Sequence, residues 1–210
     1  MEKPDSILFD MDGTLWDAVN LYVYSWNETF KELKIQRRVA REDLTGMMGW
    51  EGVKVLEKLL PEFEIDRRKE IYRHVNDLRR KMLPKVGGIL YEGVKEGIEK
   101  LSKKYKLFIV SNCAEGIVER FCNWAAIDNC IIDNREYGTN YKPKHINIQL
   151  LIEEYSLERP IYVGDTEGDS EQSQLAGIPF VFLDFGFGET TDYALKFNSF
   201  PQFTQYFLSL

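Results

Sequence analysis

Ser6 to Leu15 reads S-I-L-F-D-M-D-G-T-L, with two carboxylates, Asp10 and Asp12, one residue apart before Gly13. One carboxylate can attack an electrophile, a second can carry a proton to a leaving group, and both can ligate a hard cation. A plain polar turn, common at Asp-Gly, is the alternative that this segment leaves open. Further along, Ser111 and Asn112 could offer a hydroxyl and backbone N–H groups to an anion, or simply cap a helix. Lys142, in Y-K-P-K-H, could aim a positive charge into an acidic pocket or lie solvated at the surface; Lys144 is its rival. V-G-D-T-E-G-D adds Asp165 and Asp169, without the alternating ligands and closing glutamate of an EF-hand loop. Asp169 could equally be an acid favoured by a helix N-terminus. Cys113 has no histidine nearby in sequence to activate it and reads as a core thiol.

The surrounding pattern must place these residues together. Ile7 to Phe9 is an apolar run of strand length, and Leu107 to Val110, Ile161 to Val163 and Phe180 to Leu183 are others. Ile131 and Ile132 suggest a further short strand. Helical periodicity separates these strands at Val94–Leu101, Ile117–Trp124, Ile146–Tyr155 and Gly168–Ala176. The pattern predicts an α/β fold, a Rossmann-like parallel sheet flanked by helices on both faces, with the strand C-termini at one edge. Ligands bind at that edge in open α/β sheets.

From about Val19 to Leu83 only helical periodicity is seen. An aromatic-faced helix carries Leu21, Tyr22, Trp26 and Phe30; a second is stopped by Pro61; a third opens at Asp66 and ends before Pro84. The predicted organisation is a core of residues 1–15 plus 88–210, with residues 16–87 inserted as a small all-helical domain. The tail from Gly186, G-F-G-E-T-T, lacks a complete G-x-G-x-x-G and reads as a loop.

Composition narrows the function classes. Of 210 residues, 27 are basic and 34 acidic, a net charge of −7, which argues against a nucleic-acid partner. A small phosphorylated substrate, which needs only one local positive site, stays compatible. Three cysteines without C-x-x-C spacing predict reduced thiols rather than a disulfide framework or structural zinc. No signal peptide or bilayer-spanning run is read, so a cytoplasmic protein, without a membrane partner and monomeric, is the expectation.

Were Asp10, Asp12, Asp165 and Asp169 to converge, each pair of charges ~4 Å apart would repel by about 4 kcal/mol at an effective dielectric near 20. A hard divalent ion, most simply Mg²⁺, answers that repulsion with oxygen ligands alone. Together with a lysine it would match a bound phosphoryl group.

In D-M-D-G-T-L, the strand ending at Ser111, Lys142-Pro143 and V-G-D-T-E-G-D, in this order, the chain resembles the haloacid dehalogenase superfamily. Its helical insert resembles the small helical cap of subfamily I, and Asp17 resembles the acid near the cap hinge. The nearest subgroups are phosphoglycolate-phosphatase-like and β-phosphoglucomutase-like proteins. The resemblance implies Asp10 as nucleophile, Asp12 as general acid and base, and a metal held by Asp10, Asp165 and the Asp12 carbonyl. Asp169 would act on the metal directly or through water, and Ser111, Asn112 and Lys142 would grip the phosphoryl oxygens. An acid at Asp12 suits a phosphatase, whose leaving oxygen needs a proton, better than a dehalogenase. The expected activity is Mg²⁺-dependent hydrolysis of a small phosphorylated metabolite. A phosphomutase, a phosphonate-cleaving enzyme with Lys54 or Lys58 as Schiff base, and a non-catalytic binding protein are the alternatives. Met47, Met48, Trp50 and Glu51 are candidates to line the site from the cap, or to pack between its helices.

Overall fold

The computed structural model describes residues 2–210. Alternation along the strands decides the layering. In β1 (Ser6–Phe9), β4 (Lys106–Ser111), β6 (Pro160–Gly164) and β7 (Phe180–Leu183), successive side chains enter two separate cores. Ile7, Phe9, Leu107, Ile109, Ile161, Val163, Val181 and Leu183 face one core, which also takes up α5 (Val94–Leu101), α6 (Ile117–Ala125) and α10 (Phe200–Ser209). Leu8, Phe108, Val110, Tyr162, Phe180 and Phe182 face the other, covered by Ile148 and Leu151 of α8 (Lys144–Tyr155) and bordered by α9 (Glu167–Ala176). With β5 (Asp133–Glu136), which runs into the short α7 (Tyr137–Asn140), and β8 (Leu195–Phe197) at the edges, the six strands lie parallel in the order β5-β4-β1-β6-β7-β8. The central β1 therefore ends between β4 and β6, and Asp10, Ser111 and Asp165 come to adjacent positions at one edge.

Between β1 and β4 the chain builds a helical block: α1 (Val19–Glu32), α2 (Arg41–Thr45), α3 (Gly52–Leu59) and α4 (Ile65–Val86). Trp26 of α1 lies 5.5 Å from Phe30 and stacks at 6.0 Å on Tyr72 of α4, so the aromatic face read from the sequence is the seam of the block. A two-stranded antiparallel ribbon, β2 (Trp16–Asp17) with β3 (Ile89–Leu90), joins the block to the sheet. Asp17 accepts a hydrogen bond from the Val19 N–H at 3.0 Å and pairs with Arg41, which fixes the start of α1.

Several boundaries differ from expectation. The strand expected at Ile131–Ile132 begins at Asp133, because pairing with β4 sets its register: Phe108 faces Asp133 and Ser111 faces Glu136. At a sheet edge, D-N-R-E needs no apolar alternation. Pro84 lies inside α4, not beyond it; in the last turn its fixed φ is helical and only one hydrogen bond is lost. The tail holds a loop at Gly186, as expected, but also β8 and α10. Ser199 caps α10 by accepting from the Gln202 N–H, with Pro201 in the first turn. Phe203 on this helix is fully buried, its ring 5.8 Å from Phe9, 5.7 Å from Phe197 and 4.8 Å from Phe207. Phe203→Ala should therefore cost about 3–5 kcal/mol of unfolding free energy in a denaturant titration; a loss under about 1 kcal/mol would show that α10 does not help hold the sheet.

Candidate active site

Asp10 extends β1 by one residue, its N–H donating to the Val163 carbonyl at 2.8 Å. The next residues turn back sharply, with Leu15 N–H on the Met11 carbonyl at 3.0 Å and Gly13 at φ +93°. Glycine is required there twice over, because a Cβ would also lie 2.1 Å from Asp165 Oδ2. Asp165, just past β6, is held from behind: Thr14 Oγ1 donates to Oδ1 at 3.0 Å and the Phe187 N–H to Oδ2 at 2.7 Å. The tail loop thus serves the site through its backbone.

Asp169 sits in the first turn of α9 and forms a reciprocal cap with Thr166, whose N–H and hydroxyl donate to Oδ2 at 3.1 and 2.7 Å. Its Oδ1 accepts from a lysine ammonium at 2.6 Å. That lysine is Lys144, whose Nζ also donates to Asp10 Oδ1 at 2.8 Å and which is 2% exposed. Lys142, the residue the sequence favoured, lies exposed on the loop before Pro143. The physical reason is the helix phase. Lys144 opens α8 on the stripe that buries Asn147, Ile148 and Leu151, whereas Lys142 precedes the helix and is outside that stripe. Asn140 and Asn147 fasten this loop, Asn147 Nδ2 reaching the Lys142 carbonyl at 3.2 Å.

Asp10, Asp165 and Asp169 each bring a carboxylate oxygen within 4.8 Å of the others. Fully ionised, three carboxylates against one ammonium leave two negative charges, and an all-oxygen set of this kind fits a hard divalent cation. Burial pushes the Asp10 carboxyl up to about 7, although Lys144 pulls it down. Burial, reinforced by Asp169 and Asp10, holds Asp165 well above the usual carboxylate range. Burial opposes the charge on Lys144, yet Asp10 and Asp169 beside it keep its affinity for a proton well above the ordinary value.

Asp12 is brought to the same edge but not into the cluster. Both its oxygens lie within reach of the Tyr22 hydroxyl, at 2.8 and 2.7 Å, and burial raises it to about 6 while the Tyr22 hydrogen bond and Arg79 lower it. A carboxyl in that range can give and take a proton near neutrality. Ser111 is buried beside it, its Oγ accepting from the Cys113 N–H at 3.3 Å. Asn112 donates to the Gly49 carbonyl at 2.8 Å, joining the strand mouth to the helical block, and Arg80 Nε does the same to the Glu115 carbonyl at 2.9 Å. Burial and the nearby Glu136 push the Cys113 thiol up, so no thiolate nucleophile forms there.

These contacts enclose a cavity of about 60 Å³ whose wall includes Asp10, Asp12, Ser111 and Asn112 from the sheet. Met47, Met48 and Trp50 line it from the helical block, as expected; Glu51 does not, because it stands where the chain turns into α3. Lys54 and Lys58 are exposed and do not line this cavity. Tyr22 and Arg79 were not singled out as site residues from the sequence. The signal for Tyr22 was its place on the aromatic face of α1, next to the start of the acidic turn.

A group whose folded pKa is raised contributes stability that is complete below its unfolded pKa and lost as pH rises through the folded one. For Asp10 that window runs from 3.8 to about 7. With chelator present, the melting temperature of Asp10→Asn minus that of the unmodified chain should increase across this window, as followed by circular dichroism. A difference that stays flat with pH would show that Asp10 is not held at a raised pKa.

Compared with known proteins, residues 7–183 match the family described as haloacid dehalogenase-like hydrolase. Among curated relatives, pyrophosphatase PpaX of Listeria monocytogenes is 27% identical over 179 residues, covering 83% of this chain and 80% of its own. Phosphoglycolate phosphatase of Aquifex aeolicus is 29% identical over 207 residues, 94% of this chain and 90% of that protein. A haloacid dehalogenase-like hydrolase from Streptococcus pneumoniae superposes with a TM-score of 0.84 over 99% of this chain and 100% of that one, at 21% identity. CbbY from Rhodobacter sphaeroides in complex with phosphate gives 0.84 over 99% and 100%, at 18% identity. With its acidic turn, its buried lysine and a family match across most of its length, the chain belongs to the haloacid dehalogenase-like hydrolases.

Proposed function

We propose that this hydrolase is a Mg²⁺-dependent phosphatase acting on a small phosphorylated metabolite, with residues 16–87 as its cap. One observation carries the reading: the carboxylate of Asp10 borders a cavity, bound to Lys144, with a separately held acid, Asp12, on the same wall. Asp10 attacks phosphorus in line with the leaving oxygen, and an aspartyl phosphate forms as the P–O bond breaks. Asp12 delivers its proton to the departing oxygen. It then takes one from the water that attacks the aspartyl phosphate, releasing orthophosphate and regenerating Asp10. Tyr22 keeps the Asp12 carboxyl oriented between the two steps. Lys144 and the Ser111 hydroxyl stabilise charge on the phosphoryl oxygens. Asp10 and Asp165 would hold Mg²⁺ as direct ligands. Asp169 accepts from Lys144, Tyr162, Thr166 and the Asp165 N–H, more donors than either other acid, which fits a positioning role for that residue. The ion, when bound, supplies charge neutralisation for the incoming dianion. The activities for which the relatives are named, pyrophosphatase and phosphoglycolate phosphatase, support a phosphoryl substrate with a small leaving group.

Hydrolysis of an aryl phosphate should fall to background on chelation, return with Mg²⁺, and be absent in Asp10→Asn. Turnover that survives either change would contradict the reading. The two lysines give a second test. Lys144→Ala should lose about 10²–10³-fold in kcat, while Lys142→Ala should stay within about threefold. The reverse order would return the phosphate-binding role to Lys142.

A further inference from the structure

Arg79 stands where the sequence of α4 calls for an apolar residue. The buried face of that helix runs Ile71, Val75, Arg79, Leu83, and Arg79 is only 5% exposed. Its Nε has no hydrogen-bond partner, and its guanidinium carbon lies 3.9 Å from the centre of the Tyr22 ring. A guanidinium cannot shed its charge, and burying one without an anion is costly. The nearby acid, Asp12, feels this charge, but its oxygens face the Tyr22 hydroxyl and no ion pair joins it to Arg79. Arg79 lines the same cavity as Asp10 and Asp12 and is the one cation on its described wall, which is otherwise mostly Trp, Tyr, Met, Leu and Val.

These observations concern one place relative to the chemistry. The phosphoryl group bonded to Asp10 is served by Lys144 and Ser111 at the sheet. Arg79 comes from the cap, across Tyr22 from Asp12, and Asp12 marks the side on which the leaving oxygen departs. We infer that Arg79 is a specificity-determining residue that receives a second anionic group carried by the leaving portion of the substrate. The planar fork of the guanidinium matches a carboxylate or a further phosphoryl group, two parallel hydrogen bonds to either. Asp12 and Arg79 line one cavity, so the second anion would follow the scissile oxygen at short range. The substrate class is thus a compact phosphoester or phosphoanhydride with charge at both ends. This inference rests on the phosphatase reading for which end of the substrate is which.

Binding tests it without depending on turnover. In the Asp10→Asn background, titration calorimetry would compare 2-phosphoglycolate and pyrophosphate with ethyl phosphate, which lacks the second anion. At least one of the doubly charged compounds should bind about 10- to 100-fold more tightly than ethyl phosphate. Adding Arg79→Met should bring the ratio to within about threefold. Which compound loses affinity tells whether the recognised group is carboxylate or phosphoryl. Arg79→Lys, which keeps the charge and loses the fork, should also reduce the ratio, and it serves where the methionine variant does not fold. Equal affinities in the Asp10→Asn parent, no binding at all, or a preference that survives both changes at Arg79 would overturn the inference. Turnover of ethyl phosphate by the unmodified chain reports separately on the phosphatase reading, so the two can fail independently.

Discussion

Three buried carboxylates crowd the mouth of β1 and β6 with one ammonium, which pairs with two of them, and much of the molecule is arranged to make that tolerable. Asp10 and Asp169 meet Lys144, while Asp165 leans on Thr14 and on the backbone of the tail loop. Two acids ~4 Å apart repel by about 4 kcal/mol at an effective dielectric near 20, a large share of a domain's net stability. The sheet supplies the rigidity that keeps them together. Gly13 lets the chain pass against Asp165, and the reciprocal cap at the start of α9 locks Asp169. What remains after Lys144 is a deficit of positive charge that a divalent ion would answer.

The same site separates two acids by environment. Asp10 belongs to the charged cluster, whereas Asp12, two residues on, leaves it and binds a tyrosine hydroxyl brought in by α1. In the proposed reaction one carboxylate is thereby kept for attack and the other for proton transfer, and the contact that holds the second comes from the helical block. Asn112 to Gly49 and Arg80 to Glu115 are further polar contacts between the block and the sheet. Since Tyr22 and Arg79 both come from the block, its closure completes the acid and places a positive charge beside it. On the proposed reading, chemistry and substrate recognition would meet in the cavity between the two parts.

Much of this was legible in the residue pattern. The apolar strands declare themselves because each is buried on both faces, and the acids follow them directly. Edge elements are harder: D-N-R-E at β5 and L-K-F at β8 have one neighbouring strand each, so tertiary pairing and not local preference selects them. The ribbon of β2 and β3 has two residues per strand, too few for any periodicity. The lysine is the instructive case. Proximity to Pro143 favours Lys142, but Ile148 and Leu151 define a core-facing stripe, and extending it back one turn reaches Lys144. Arg79 was legible in the same way, as a charged residue in phase with Ile71, Val75 and Leu83. In both, a charge out of keeping with its helical face marked the site.

The central claim is that the carboxylate cluster is completed by a divalent ion. Calorimetric titration of Mg²⁺ into metal-free protein at about pH 6, in two buffers of different ionisation enthalpy, tests it most directly. A single ion should bind per chain with release of protons, because the Asp10 carboxyl at about 7 is largely protonated before the ion arrives. The binding heat should disappear in Asp165→Asn. Binding without proton release, or binding undiminished by that substitution, would place the ion elsewhere and contradict the account.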